Sequence, residues 1–403
     1  MGTASHISQE IPVQPAGLPV AAQGAGSQAC AIRRTLILSP TLQNFGGIQR
    51  YTRTLTHALE ELFGSPNVRV LAADDPKPSA ATGRLKLAPS ARLGFAWRTF
   101  SEILRWQPQL IICTHLSLGP FAWAAKLFTR SPYWIVLHGI EAWRELPYWK
   151  TVALQTADRI IVTSNFSREQ VMKQHQIGSD PMSNLPCTLD DKLLGVTPAN
   201  NVGTTGRYPN LSDNQRVILT VARMDASEQY KGHDVVLRAL LSVIEEEPKV
   251  VYVIVGDGDD RPRLESLVRE LGVADHVVFM GKINDSELVA LYQRSEVFVL
   301  PARTVLDSRN PKGEGFGIVF LEAMAFGKPV IGPNDGAPAE IIRDGQTGFL
   351  VDPEDSTAVA EALSTLLANP AVALAMGKAG RNYVTANYSY VAFRDKLREV
   401  LAI

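Results

Sequence analysis

Cysteine is scarce. The 403 residues hold three, Cys30, Cys113 and Cys187, with no CxxC pair and no matching cluster of histidines. That pattern supports neither a disulfide framework nor a zinc site, and it fits a reducing, cytoplasmic setting. Long apolar runs are missing too. No stretch reaches the roughly 18 apolar residues of a bilayer-spanning helix, and the first 30 residues lack the basic start and apolar core of a secretory signal. The opening Met1-Gly-Thr-Ala-Ser-His6 fails the myristoylation pattern, because His6 stands where Ser or Thr is needed. Net charge is almost absent at -1, and no run of Arg or Lys marks a nucleic-acid partner.

The charge is unevenly placed all the same. Residues 1–190 hold 18 Lys+Arg against 12 Asp+Glu, and residues 191–403 hold 22 against 29. A basic first half suits an anionic acceptor or a membrane surface, the inner face of the cell membrane included; scattered, solvated charge is the plainer reading.

What the chain does have is the composition of an ordinary folded protein, 45% hydrophobic and 20% charged, at a length that favours two domains. Residues 1–30, rich in Ala, Gly, Gln and Pro, read as a mobile tail. From residue 34 short apolar runs alternate with amphipathic stretches: Thr35-Leu-Ile-Leu-Ser, a helix from Gly47 to Leu62, Val68-Arg-Val-Leu-Ala, Leu110-Ile-Ile-Cys, Trp134-Ile-Val-Leu-His138 and Arg159-Ile-Ile-Val-Thr163. Continuous apolar runs between helices predict buried parallel strands in a doubly wound α/β domain. Residues 187–215 lose all periodicity and read as a linker. A second series follows with Val217–Val221, Val250–Val255, His276–Phe279, Val297–Leu300, Pro329–Ile331 and Gly348–Val351. The expected fold is α/β, two Rossmann-like domains over residues 31–200 and 201–385 facing across a central cleft. Residues 386–403 are expected as a C-terminal helix that crosses back to the first domain after a break near Ala386-Asn-Tyr-Ser.

The densest signal is Glu314-Gly-Phe-Gly317-Ile-Val-Phe-Leu-Glu322, with Ile318 opening a helix that Gly327 ends. Glycines allow close backbone approach, and a helix start offers free amides and a positive dipole end to a diphosphate. A second element, Arg223 to Lys231-Gly232, follows a buried strand; an Arg fork and a Lys point charge eight residues apart can converge on the same diphosphate. Read alone, the pair fits solvated surface charges equally well. In the first half, Asn44-Phe-Gly46-Gly47 opens a helix, and His138-Gly139 ends a strand.

This constellation resembles glycosyltransferase family 4, whose hallmark is two glutamates separated by seven residues. The resemblance covers nearly all of residues 34–403. It implies a GT-B fold, an N-terminal acceptor-binding domain and a C-terminal nucleotide-sugar-binding domain. It assigns Glu314 to the donor sugar hydroxyls, Glu322 to the ribose, and the backbone of Phe316, Gly317, Ile318 and Val319 to sugar and phosphate. Arg223 and Lys231 then stabilise the departing diphosphate, Gly46 and Gly47 approach the donor phosphates, and His138 lies near the donor sugar. Val278-Phe-Met-Gly-Lys-Ile283 matches a family segment whose backbone lies against the base. Asp335-Gly336-Ala337-Pro338-Ala-Glu340 departs from the family's Gly-Gly-x-x-Glu at Ala337, which leaves that turn open.

The implied activity is retaining hexosyl transfer from a nucleotide-diphosphate sugar, of GDP-mannose or UDP-glucose type, to a glycan or lipid-linked acceptor in polysaccharide or glycolipid biosynthesis. No metal is expected, since Asp257-Gly-Asp259 sits in a strand-to-helix turn, and no other cofactor is implied. Leu93–Phe100 and Leu118–Phe128 mix aromatic with basic residues, which suits peripheral membrane contact as well as core helices. A 2-epimerase of the same fold and a catalytically inactive nucleotide-sugar binder remain alternatives.

Overall fold

The computed structural model describes residues 34–41, 46–73, 89–199, 212 and 214–402. The expected N-terminal tail, together with Asn44 and Phe45, lies outside the described residues.

The first series runs β1 (Thr35–Ser39), α1 (Gly47–Phe63), β2 (Val68–Ala72), α2 (Pro89–Trp106), β3 (Leu110–Cys113), α3 (Gly119–Thr129), β4 (Tyr133–Leu137), α4 (Tyr148–Gln155), β5 (Arg159–Val162), α5 (Asn165–His175) and β6 (Met182–Asn184). All its strands are parallel, in the order β2-β1-β3-β4-β5-β6. A short α6 (Asp191–Leu194) follows inside the stretch read as a linker.

The second series runs β7 (Arg216–Val221), α7 (His233–Glu246), β8 (Val250–Val255), α8 (Arg261–Glu270), β9 (Val277–Gly281), α9 (Asp285–Arg294), β10 (Val297–Val299), α10 (Ile318–Ala325), β11 (Val330–Pro333) and β12 (Gly348–Val351). It too is parallel, ordered β12-β11-β10-β7-β8-β9. The apolar strings dictate this burial: every residue of β8, Val-Val-Tyr-Val-Ile-Val, is buried, as a parallel strand covered on both faces must be. Among the described residues the strands fall in two six-stranded sheets, the architecture of two Rossmann-like domains.

The chain order reverses direction between β1 and β3 in one sheet and between β7 and β10 in the other. Ligands in such sheets bind beyond the carboxyl ends of the strands flanking that reversal. The loops that leave β1, β7 and β10 carry Gly46–Gly47, Arg223 to Lys231, and Glu314, so topology alone gathers three separated segments.

α11 (Ser356–Ala368), α12 (Pro370–Tyr388) and α13 (Tyr390–Leu401) complete the chain. Ser389 separates the last two helices and caps α13 by accepting from Ala392 N at 3.3 Å. α13 then lies on α1 of the first domain. Its Phe393 ring meets the edge of Tyr51 at 5.7 Å, Arg394 pairs with Glu61 at 3.6 Å, and Leu189 N donates to Tyr388 O at 2.9 Å. Phe393 is 3% exposed, so Phe393→Ala would cost about 3–5 kcal/mol and loosen this tie. Among the described residues no single helix is long and apolar enough to cross a membrane.

Candidate active site

Two bare helix starts face each other across the cleft. α1 begins after Gly46 and α10 after Gly317, and neither N-terminus has a side-chain cap. A methyl group added to Gly47 would stand 3.2 Å from Ile318 Cδ1, so the two helix starts are in near contact. The first amides of each helix lack intrahelical acceptors and both dipoles present their positive ends, which makes the gap a place for an anion. Gly317 holds φ at 103°, a left-handed conformation that a side chain would strain. Gly315 serves a different need: a Cβ there would lie 1.8 Å from the carbonyl oxygen of His138. Only glycine lets the two loops approach so closely. Hydroxyls of Thr163 and Ser164 also donate to Gly315 O, both at 3.4 Å.

Glu314 and Lys231 form an ion pair at this point, with side chains only 16% and 11% exposed. Burial works against the Lys231 charge, but Glu314, Tyr230 and Glu228 outweigh it and hold the ammonium above its ordinary range. Arg223 lies further out. Its guanidinium is 58% exposed and reaches Glu228 and, at 3.5 Å, Asp225. Glu228 therefore stands between the two cations; burial raises its pKa, against the pull of Lys231 and Arg223. Sequence reasoning passed over Glu228.

Glu322 is engaged by partners from both domains. It is 3% exposed, and both carboxylate oxygens are taken: Oε1 by Arg50 of α1, Oε2 by the hydroxyl of Tyr292 at 2.9 Å. Burial pushes its pKa up, while Arg50 and Tyr292 oppose the rise. Neither partner was singled out from the sequence, because one sits in the other domain and the other thirty residues away. A motif with spacing reveals neighbours along one helix, not a cation arriving from across a cleft.

His138 is held by its ring: Nε2 lies 2.8 Å from Thr114 O, an acceptor only, so Nε2 carries the proton and Nδ1 is the acceptor. Its backbone N–H donates to Glu141 Oε1 at 2.5 Å, and its ring meets the edge of Tyr51 at 5.3 Å. One strand over, His115 follows β3 with Nδ1 accepting from Ser117 N at 3.1 Å. Burial pulls its pKa to about 4, leaving a neutral imidazole.

Phe316 turns inward, 7% exposed and 5.9 Å from the Tyr388 ring, so only its backbone is offered to the cleft. Ile318 and Val319 are partly buried on the first turn of α10. Ile283 lies between β9 and α9, whose start carries a capping box from Asn284 and Glu287. The turn at Asp335–Glu340 resolves without a second glycine: Gly336 takes φ 74°, and Ala337 enters a 3-10 turn where it is fully buried. Glu340 then accepts from Asn165 N at 2.9 Å and from Phe166 N, capping α5 of the opposite domain. Asp259 of the Asp257-Gly-Asp259 turn accepts from Ala226 N at 2.6 Å, a loop-fixing bond.

Residues 207–383 match the family described as Glycosyl transferases group 1, and residues 45–193 match Glycosyltransferase Family 4. The chain is 33% identical over 269 residues to the GDP-mannose-dependent alpha-(1-6)-phosphatidylinositol monomannoside mannosyltransferase of Mycolicibacterium smegmatis, covering 66% of this chain and 68% of that protein. It is 27% identical to the D-inositol 3-phosphate glycosyltransferase of Corynebacterium diphtheriae over 61% of this chain and 56% of that one. Among solved structures, sucrose-phosphate synthase from Thermosynechococcus elongatus superposes with a TM-score of 0.73 at 23% identity, over 92% of this chain and 98% of that chain. Anabaena Alr3699/HepE in complex with UDP-glucose superposes with a TM-score of 0.69 at 18% identity, over 92% and 99%. These two likenesses show the shared GT-B fold. With both halves matched in order and the paired glutamates set at the joined helix starts, the chain belongs to glycosyltransferase family 4.

Proposed function

We propose that this protein is a retaining mannosyltransferase that uses GDP-mannose and an inositol-lipid acceptor. The observation that carries a nucleotide-diphosphate donor is the meeting of two uncapped helix starts at Gly47 and Ile318. The mannose and inositol-lipid parts rest on what the mycobacterial relatives are named for.

In this reading the diphosphate lies between the helix starts, with Lys231 beside it and Arg223 swinging inward from its exposed position. The bond from the anomeric carbon to the phosphate oxygen breaks, and an acceptor hydroxyl oxygen bonds to the same face of that carbon while its proton passes to the leaving phosphate. The negative charge that develops on the leaving diphosphate meets amides and cations already fixed in place, which lowers the barrier. Glu314 accepts hydrogen bonds from sugar hydroxyls, His138 borders the sugar, and Glu322 meets the ribose. Ile283 backs the base. No metal takes part, so EDTA leaves turnover unchanged; loss of activity restored by Mg²⁺ or Mn²⁺ would refute this.

The first domain binds the acceptor. Trp97, Phe128, Tyr148 and Trp149 stand 71%, 71%, 79% and 58% exposed on α2, α3 and α4, a set that seats a peripheral protein at a lipid surface.

A thermal-shift series over GDP-, UDP- and ADP-sugars, repeated with Glu322→Ala, tests the donor. GDP-mannose should stabilise the wild type most, and the variant should lose that shift. If no nucleotide sugar raises Tm, the donor site is misassigned. Release of free epimerised sugar without acceptor would favour an epimerase instead.

A further inference from the structure

We propose that Arg50 is a displaceable stand-in for the ribose: it occupies Glu322 from the opposite domain, and the nucleotide's ribose hydroxyls exchange with it on binding. This rests on the reading of Glu322 as the ribose contact.

The geometry forces an exchange. Glu322 is 3% exposed and has no open approach, with one oxygen on Arg50 and the other on Tyr292. A ribose can reach the carboxylate only if one partner leaves. Tyr292 cannot: it is fully buried in the second domain and stacked on Phe326 with ring centroids 5.3 Å apart and 9° between planes. Arg50 can. Its side chain is 26% exposed and borders a cavity of about 700 Å³ between the domains, lined also by Asp190, Asp285, Tyr51 and Ile318. Its Nε already lies 3.6 Å from Asp190 Oδ2, so a small rotation hands the guanidinium to a second carboxylate rather than leaving a buried charge unpaired.

The position of Arg50 gives the exchange a consequence. It stands on the first turn of α1, and its amide donates to Gly46 O at 3.0 Å. The residue that yields to the ribose thus sits on the same turn as the Gly46–Gly47 loop at the anion gap. Burial of Arg50 disfavours its charge, yet Glu322 and then Asp190 more than offset this, so the guanidinium stays charged in either pairing.

Calorimetric affinities of GDP and 2′,3′-dideoxy-GDP for wild type, Arg50→Met, Arg50→Lys and Glu322→Gln test the exchange. Removing the competitor should make Arg50→Met bind GDP about tenfold tighter. Dideoxy-GDP, which need not evict Arg50, should change by less than about twofold, and Arg50→Lys, which keeps a cation and the fold, should fall between. Weaker GDP binding by Arg50→Met, or an equal change for both nucleotides, would overturn the exchange and make Arg50 a plain phosphate contact or a structural residue. Glu322→Gln separates the two layers. If it leaves the wild-type preference for GDP over dideoxy-GDP intact, the ribose reading itself falls, and the exchange with it. If it removes that preference while Arg50→Met fails to tighten GDP, only the exchange falls.

Discussion

The two glutamates of the hallmark pair sit one helix start apart and are held in opposite ways. Glu314 is paired with Lys231, a cation of its own domain delivered by the loop after β7. Glu322 is paired with Arg50, a cation delivered by the other domain. The first pair exists whatever the two domains do, because both members hang from neighbouring strands of one sheet. The second spans the cleft, with its two members on different domains. One end of the site is therefore built within one domain, and the other is assembled where the two domains meet.

The sharpest test of the built-in end is Lys231→Ala. It strips the half-buried Glu314 of its partner and removes a cation beside the anion gap, so kcat/KM should fall about 10²–10³-fold, as for other fixed charge-stabilising donors. Steady-state kinetics with saturating acceptor would show it. An effect under about tenfold would mean that Lys231 is only the counter-ion of Glu314.

The assembled end should break at Gly315. Gly315→Ala drives a methyl into the His138 carbonyl and holds the loops apart, so turnover should drop about 10²-fold, since a displacement near 1 Å has that effect on an oriented reaction. Small-angle scattering should report a wider molecule while circular dichroism stays unchanged. A smaller cut is Glu340→Gln, which weakens the cap on α5 of the other domain. Losing a charge-assisted bond there should lower affinity for donor by about tenfold or less and leave the folded content intact.

Much of the fold was open to reading from the sequence, and the reason is physical. Parallel strands covered on both faces must be unbroken apolar runs, so β1, β3 and β8 announce themselves, as does the helix that Gly317 opens and Gly327 ends. β6 did not, because Met182-Ser-Asn184 is an edge strand of three residues with a single apolar side chain. The site was legible where its parts follow strands in one domain, in that Glu314 and Lys231, on neighbouring strands, meet there as an ion pair. It was illegible across the cleft. Arg50 reads as one more polar residue on the first turn of α1, and Glu340 as a loop carboxylate, until the domains meet. Arg223 and Lys231, expected to converge on one diphosphate, have separate partners: Lys231 pairs with Glu314, whereas Arg223 rests on Glu228 and Asp225.

The smallest expected effect compares the two ends through pH. Burial raises the Glu322 pKa in the folded protein despite Arg50 and Tyr292, so the native state takes up that proton more readily than the unfolded chain. A raised carboxyl pKa contributes stability that is full below the unfolded value, 4.5, and is lost as pH rises through the folded pKa. Lys231 behaves as the usual cation: its contribution is full below the unfolded value of 10.5 and is lost only as pH rises through the still higher folded pKa. Above pH 4.5 the Glu322 carboxyl should therefore titrate, as should Glu228 at the built-in end, whereas Lys231 keeps its charge. Glu322→Gln removes the first of these titrations, so its Tm should vary less with pH over this window than the wild type's, by roughly 1–3 °C for one group in a chain of this size. Equal slopes would mean that Glu322 keeps its charge over the whole window and that Arg50 holds it more firmly than its burial implies.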